Sequence, residues 1–464
     1  MNLKNLHSVH FLGIGGIGMS ALARYFNHMG MQVSGYDKTP SPLTKKLEEE
    51  GMNISYVDDL EHVPSAVSSQ KDNALIVWTP AMPKDSVQLN FFKSEGFELH
   101  KRAAVLGMIT SSMPAIAVAG THGKTTTSSM VAHLLKQGNV NVAAFLGGIT
   151  QNYQSNLLLQ DDQERDSWVV VEADEFDRSF LHLHPNVAVL TSVDPDHLDI
   201  YGNGEVMLEG FHAFLKLISS DGKLYIHTKA FQKLGDFDLQ KVNVTPYGIG
   251  AGEVQAIQVE ALPGLFKFDF VSGEKQIEGL ELHMPGFHNV ENALPAIAIA
   301  MDLGLSEDQI RNGIASFKGV KRRFEIHYQE EGKVYIDDYA HHPEEIAAFL
   351  NSVKAMYPKR KLTAVFQPHL FTRTRDFAKG FSESLSLADD VVLLDIYPAR
   401  ELPIEGVTSE MLLEGIKSRR KSLQPKAEVI NYLKANSPEV LVTIGAGDID
   451  RLVEPIAKWI QNED

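Results

Sequence analysis

The chain of 464 residues has no cysteine, which removes disulfides, thiolate metal sites and cysteine nucleophiles from consideration. Basic residues are in short supply: 43 Lys and Arg face 60 Asp and Glu, a formal charge of −17. An acidic surface of that size disfavours nucleic-acid and membrane partners and leaves any anionic substrate to local cationic groups. Glycine (35) and proline (20) stay near ordinary usage, which excludes collagen-like and low-complexity chains. Charged residues are missing between Lys4 and Arg24. That interval contains His10, Ser20 and four glycines, so it reads as a buried strand, a Gly-rich turn and a helix, not as a targeting segment. What is present, 44% apolar and 22% charged residues, suits a large soluble protein of the cytoplasm; it is expected to be a monomer or homodimer, a state the composition does not set.

Short apolar runs alternate with helical patterns from the start. Runs at 7–12, 32–36, 74–78 and 97–99 predict strands, and 20–29 and 43–50 predict helices between them. This βαβ rhythm predicts a parallel sheet covered on both faces. It restarts at Pro114, with strands predicted at 115–119, 168–171 and 187–190 and a helix over 124–136. From Val254 to Met284 short strands with Gly and Pro punctuation predict antiparallel hairpins. After Arg323 the rhythm returns, with strands predicted at 334–336, 362–366, 391–394 and 440–444. At about 150 residues per domain, the reading is an α/β chain of three domains. Residues 1–107 are read as a Rossmann-like domain and residues 108–317 as a central domain with a parallel sheet plus antiparallel strands. Residues 318–464 form a second Rossmann-like α/β domain.

Gly13-Ile14-Gly15-Gly16-Ile17-Gly18 fits G-x-G-x-x-G between a predicted strand and helix. Glycines there permit a tight turn and let a phosphate approach the helix N-terminus, whose free N–H groups and dipole favour an anion. Asp37 closes the next predicted strand, where an acid can bind a ribose hydroxyl. Alone, this motif suits an NAD(P)-dependent dehydrogenase. Gly120-Thr121-His122-Gly123-Lys124-Thr125-Thr126-Thr127 is more specific, because it follows an apolar strand and opens a helix. Its backbone N–H groups can cradle phosphates, Lys124 can reach the β- and γ-phosphates of ATP, and the Thr125 hydroxyl can ligate Mg²⁺.

Two acidic strings, Glu172-Ala173-Asp174-Glu175-Phe176-Asp177 and Asp194-Pro195-Asp196-His197-Leu198-Asp199, leave predicted strands at their carboxyl ends, where open α/β sheets bind ligands. Oxygen ligands with one imidazole suit Mg²⁺ or Mn²⁺ bridging phosphates. A third string, Asp337-Asp338-Tyr339-Ala340-His341-His342, is followed by Gln367-Pro368-His369 and Thr372-Arg373-Thr374-Arg375. The arginines suit a carboxylate or phosphate. Without an H-E-x-x-H spacing or a cysteine, the histidines give no support for zinc.

Taken in order from His10 to about Gly447, these strings resemble those of the Mur ligases, the ATP-dependent amide-forming enzymes of peptidoglycan precursor synthesis. Phe287-His288-Asn289-Val290-Glu291-Asn292 and Lys321-Arg322-Arg323-Phe324-Glu325 belong to the same series. The resemblance implies a first domain for the UDP moiety, a central P-loop-type ATPase domain and a third for the amino acid and part of the nucleotide. It implies that Gly120, Thr121, His122, Gly123, Lys124, Thr125 and Thr126 hold the ATP phosphates, with one Mg²⁺ (Mn²⁺ also suits) at Thr125 and Glu172 and a second at His197. It places His288, Asn289 and Asn292 at adenine, Arg323 at the phosphates and Asp338 at the ribose. Gly13, Gly15, Gly16, Ile17, Gly18 and Asp37 would bind the UDP moiety, and Tyr339, His341, His369 and Arg373 would border the substrates. Lys124, Arg323, His197 and His341 are the catalytic candidates.

Within the family the strings point to the step that joins L-alanine to the lactyl carboxylate of UDP-N-acetylmuramate through an acyl phosphate. The alternatives are a recycling step that attaches a murein tripeptide to the same sugar nucleotide, the dehydrogenase, and a nucleotide-binding regulator without ligase activity. Some positions depart from the family. The helix after Asp199 reads Glu209-Gly210-Phe211-His212, so Lys216 is not read as the carbamylated lysine of several later-step ligases. Leu370 stands where a basic residue is common, and the Asp-Asn-Pro-Arg string of the diaminopimelate-adding enzyme is absent.

Overall fold

The uncharged interval folds as the strand Ser8–Leu12, a glycine turn and the helix Ile17–His28. Every residue of that strand is buried, as a parallel strand covered on both faces requires. It lies inside a five-stranded parallel sheet ordered Asn53–Ser55, Gln32–Tyr36, Ser8–Leu12, Ala74–Trp78, Leu99–Lys101. The chain builds outward on one side of Ser8–Leu12 and then on the other. The switch point, where such sheets open a crevice, therefore falls beside the Gly13 turn.

The computed structural model describes residues 3–162, 165–195, 204–235, 242–330, 332–399 and 401–462. It forms two compact units, Met1–Ser128 with Leu135–Gly147 and Ser155–Pro246, and Ser129–Leu134 with Gly148–Gln154 and Tyr247–Asp464. The first unit holds a second parallel array in the order Lys223–His227, Val187–Leu190, Ala115–Ala119, Trp168–Glu172, Val142–Thr150. Here too the order reverses beside the earliest strand, Ala115–Ala119, whose five residues are all buried. One apolar core, including Phe11, Phe26, Val171, Phe180 and Phe211, runs through both sheets of this unit.

The second unit contains the predicted hairpins as Val254–Leu262, Leu265–Ser272 and Lys275–Leu282, paired antiparallel. Its six-stranded sheet is ordered Glu325–Glu330, Lys333–Asp338, Val440–Ile444, Leu362–Phe366, Asp390–Leu393, Arg420–Leu423. Only the first pair is antiparallel. Lys333–Asp338 and Leu362–Phe366 flank Val440–Ile444 in parallel, so the Asp338 and Gln367 turns leave the same end of the sheet. The architecture is the expected three-domain α/β one, with two Rossmann-like sheets and a central sheet that mixes parallel and antiparallel strands. Among the described residues no helix is long and apolar enough to cross a membrane.

The first sheet buries a titratable group with a measurable consequence. His10 is hydrogen-bonded to Ser34 Oγ at 2.8 Å and Gln88 Oε1 at 2.9 Å. Burial pushes its pKa down to about 4, against a weaker upward pull from Gln88. The imidazole is thus neutral when folded but charged below about 6.5 in the unfolded chain. Its contribution is present in full above pH 6.5 and is lost as pH falls toward 4, about 3 kcal/mol at most. In urea unfolding, the stability difference between the protein and a His10→Gln variant is expected to be largest above pH 6.5 and to shrink toward pH 4. A difference that stays constant over that range would contradict the buried neutral imidazole.

Candidate active site

The phosphate-type loop follows from local geometry. Ala115–Ala119 delivers the chain to Gly120, and the helix Lys124–Gln137 starts four residues later. Gly120 (φ +131°) and Gly123 (φ +80°) take conformations that L side chains rarely adopt. A Cβ on Gly120 would lie 2.2 Å from Thr191 Oγ1. The neighbouring strand end braces the loop: Thr121 N donates to Ser192 O (3.2 Å) and His122 N to Ser192 Oγ (2.8 Å). Thr121 Oγ1 in turn accepts from Asp194 N at 3.1 Å. His122 Nε2 lies 3.9 Å from the Asp194 carboxylate. Thr126 is buried inside the helix start, whereas Thr125 is half-buried.

Lys124 turns back over the loop. Its Nζ donates to Gly120 O at 2.7 Å and lies 2.7 and 3.0 Å from the two carboxylate oxygens of Glu175. Burial opposes its charge, but the carboxylates of Glu175, Glu172 and Asp174 outweigh burial and hold its pKa above that of an ordinary lysine. Glu172 ends the strand Trp168–Glu172, and its Oε2 accepts from Gly147 N at 2.9 Å. His197 lies outside the described residues.

The first glycine turn is equally constrained. Gly13 (φ +91°) would place a Cβ 2.5 Å from Thr79 Cγ2. Gly16 caps Ile17–His28 without any side-chain hydrogen bond, leaving the first N–H groups of that helix for a ligand. Asp37 Oδ2 accepts from Gly15 N at 2.7 Å, so this carboxylate shapes the turn itself. Ile17 is exposed. A cavity of about 230 Å³ is lined by Gly16 and Gly18 together with Glu172 and Asp174. It thus connects the glycine turn with the carboxylate beside the phosphate loop. Lys101 and Arg102 also line it, and sequence reasoning missed both. The available signal is two adjacent cations where a predicted strand gives way to a helix.

In the second unit, Arg322 (φ +60°) and Phe324 (φ +48°) bracket Arg323 in left-handed backbone. The Arg323 guanidinium sits 5.0 Å from the Tyr339 ring centre and 3.8 Å from Glu345 Oε1. Sequence reasoning missed Glu345, which also accepts from His341 N at 3.0 Å. Both oxygens of Asp338 accept backbone N–H groups, from Phe324 and Ala340, each at 2.7 Å. Burial raises its pKa to about 7 despite Arg323 and those N–H groups.

His341 and His369 meet edge-on, with ring centres 6.4 Å apart. Burial pushes both to about 4. His341 Nδ1 lies 3.0 Å from Tyr339 O, and His369 stacks on Tyr397. Leu370 (φ +70°) turns the chain into the short helix Phe371–Asp376 that carries Arg373. Asn292 Nδ2 donates to Asn289 Oδ1 (3.2 Å), whose own Nδ2 donates to Pro285 O (2.7 Å). His288, on the same helix Phe287–Asp302, is half-buried, and desolvation pushes its pKa down to about 4. The structure thus gathers Tyr339, His341, His369 and Arg323 at one end of the sheet, and His288, Asn289 and Asn292 on one helix.

Three family models match consecutive stretches. The Mur ligase family catalytic domain covers residues 8–113, the Mur ligase middle domain 118–300 and the Mur ligase glutamate ligase domain 322–447. The UDP-N-acetylmuramate–L-alanine ligase of Porphyromonas gingivalis W83 is 49% identical over 462 residues, covering 98% of this chain and 99% of the relative. That of Cytophaga hutchinsonii is 46% identical over 463 residues, covering 98% and 97%. The crystal structure of UDP-N-acetylmuramate–alanine ligase from Thermotoga maritima matches with a TM-score of 0.75 at 27% identity, over 98% of this chain and all of that one. With three Mur ligase family models matched in succession along the chain and identity near one half from end to end, the chain belongs to the Mur ligase family.

Proposed function

We propose that this chain joins L-alanine to the lactyl carboxylate of UDP-N-acetylmuramate, converting ATP to ADP and phosphate, in the cytoplasm. The observation that carries the reading is the end-to-end identity with ligases of that name. The cavity supports it physically, because a sugar nucleotide seated at Gly16 and Gly18 can extend its acid toward Glu172 and the phosphate loop.

A carboxylate is a poor electrophile. Its oxygen attacks the γ-phosphorus, the bond to the β–γ bridging oxygen breaks, and ADP leaves an acyl phosphate. The neutral amine of alanine then attacks the acyl carbon, and the tetrahedral intermediate collapses to amide and phosphate. No enzyme nucleophile is required, in keeping with a chain without cysteine. Lys124 offsets charge on the transferring phosphoryl group, the contribution such reactions demand most. Arg323 is assigned the same kind of work as a phosphate-binding cation. His341, neutral at physiological pH and tied to Tyr339 O through Nδ1, keeps Nε2 as an acceptor. That suits it to orient the incoming amine.

The Thr125 hydroxyl and Glu172 carboxylate are hard oxygen donors of the kind Mg²⁺ takes. Glu172 Oε2 is tied to Gly147 N, which leaves Oε1 for a cation, so the residues present fit. Bound there, the ion would neutralise phosphate charge. We propose domain boundaries at 107/108 and 317/318, where the βα pattern restarts.

A phosphate-release screen tests the reading. With ATP, Mg²⁺ and UDP-N-acetylmuramate, L-alanine is expected to release phosphate far faster than other amino acids or a murein tripeptide. Release with the tripeptide but with no amino acid would make this a recycling enzyme, and no release with any of them would leave a nucleotide-binding regulator.

A further inference from the structure

Lys124 has no donor to spare. An ammonium carries three N–H groups, and here they face Gly120 O (2.7 Å), Thr121 O (3.4 Å) and the Glu175 carboxylate (2.7 and 3.0 Å). The Glu175 side chain is fully buried. It comes from the turn after Glu172, where Asp174 Oδ1 accepts from Phe176 N at 3.1 Å and Phe180 N donates back to Asp174 O at 3.0 Å. That turn fixes the carboxylate beneath the loop, so Glu175 cannot follow Lys124 outward. A phosphate reached by Lys124 must therefore displace the ammonium from Glu175 or share it.

We propose that Glu175 is a positioning residue that competes with the nucleotide for Lys124, holding the ammonium in the empty loop and weakening ATP and ADP binding in return. The inference rests on the reading of Gly120–Thr127 as the ATP loop. Two physical consequences follow. A buried cation without a counter-charge is strongly unfavourable, so Glu175 keeps the loop intact between turnovers. The same carboxylate adds negative charge beside the phosphate site and leaves its own charge less well compensated once Lys124 moves, so it speeds nucleotide departure. Removing its charge while keeping its shape should free Lys124 for phosphate.

The test compares the full chain with Glu175→Gln and Glu175→Asp by calorimetric titration of ADP and a non-hydrolysable ATP analogue, each with Mg²⁺. Glu175→Gln is expected to bind both about tenfold tighter, to melt lower when empty, and to show a larger nucleotide-induced rise in melting temperature. Glu175→Asp, which keeps the charge at a shorter reach, should fall between. A purely structural role would lower the melting temperature without tightening binding. Unchanged or weaker binding in a folded Glu175→Gln protein overturns the proposal. If that variant does not fold, tighter binding in Glu175→Asp still supports the proposal, and unchanged or weaker binding there overturns it. Absence of nucleotide binding in the unmodified protein would instead defeat the underlying reading of the loop.

Discussion

Replacing Lys124 by alanine is expected to lower kcat for ATP-dependent amide formation at least about 10³-fold, while UDP-N-acetylmuramate binding changes by no more than a few-fold. A loss of that size corresponds to roughly 4 kcal/mol of transition-state stabilisation, within the range assigned to a cation that neutralises a transferring phosphoryl group. The cavity proposed for the sugar nucleotide is lined by Gly16, Gly18, Thr79, Arg102 and Glu172 but not by Lys124, so affinity for that substrate should survive. The substitution also strands the buried Glu175 carboxylate, a change that typically costs about 3–5 kcal/mol. Lower stability therefore accompanies the lost activity and could be mistaken for its cause. Combining Lys124→Met with Glu175→Gln removes both charges, and this pair should regain stability without regaining turnover. Recovery of turnover would show that the lysine acts only by supporting the fold.

Adjacent arginines should separate in the opposite way. Arg322 Nε lies 3.0 Å from Asp337 Oδ2 and its NH2 donates to Gly445 O at 2.7 Å. Asp337 is fully buried and also accepts from Thr443 Oγ1 at 2.7 Å. Arg322→Ala leaves that carboxylate without its cation and should destabilise the protein by about 3–5 kcal/mol, a drop in Tm of about 10 °C. Arg323 is more exposed, with its nearest carboxylate oxygen 3.8 Å away. Arg323→Ala should leave Tm within a degree or two and reduce kcat about 10²-fold or more. Thermal melts beside steady-state kinetics decide it. A large Tm loss in Arg323→Ala, with unchanged Tm and lost turnover in Arg322→Ala, would reverse the assignment.

The strands Gln32–Tyr36, Ala74–Trp78, Ala115–Ala119, Val187–Leu190, Leu362–Phe366 and Val440–Ile444 begin and end where the sequence places them. Predominantly apolar runs stopped by glycine, proline or charge leave little ambiguity for most of these in a sheet covered on both faces, although Gln32–Tyr36 itself carries Gln, Ser and Gly. Glu325–Glu330 and Arg420–Leu423 are outer strands of their sheet, carrying charged residues and partial exposure, and no apolar pattern announces them. The predicted 97–99 run is displaced to Leu99–Lys101, also an edge strand.

At the site, the glycine spacing reveals both turns because backbone geometry dictates glycine there. The partners of the charged groups are a different matter. The Lys124–Glu175 pair spans 51 residues of sequence and depends on how the turn after Glu172 folds. Asp37 and Asp338 lie on the turns the sequence assigns, yet their oxygens receive N–H groups from Gly15 and from Phe324 and Ala340. Spacing alone cannot tell a carboxylate that meets a ribose from one that ties a turn together.

The central claim, that the γ-phosphoryl of ATP is handed to the sugar-linked acid, is tested most directly by isotope transfer. UDP-N-acetylmuramate labelled with ¹⁸O in its lactyl carboxylate would be turned over with ATP and L-alanine, and the released phosphate examined by mass spectrometry. Transfer through an acyl phosphate predicts one labelled oxygen in each phosphate formed. Phosphate free of label, released in step with amide, would contradict the account.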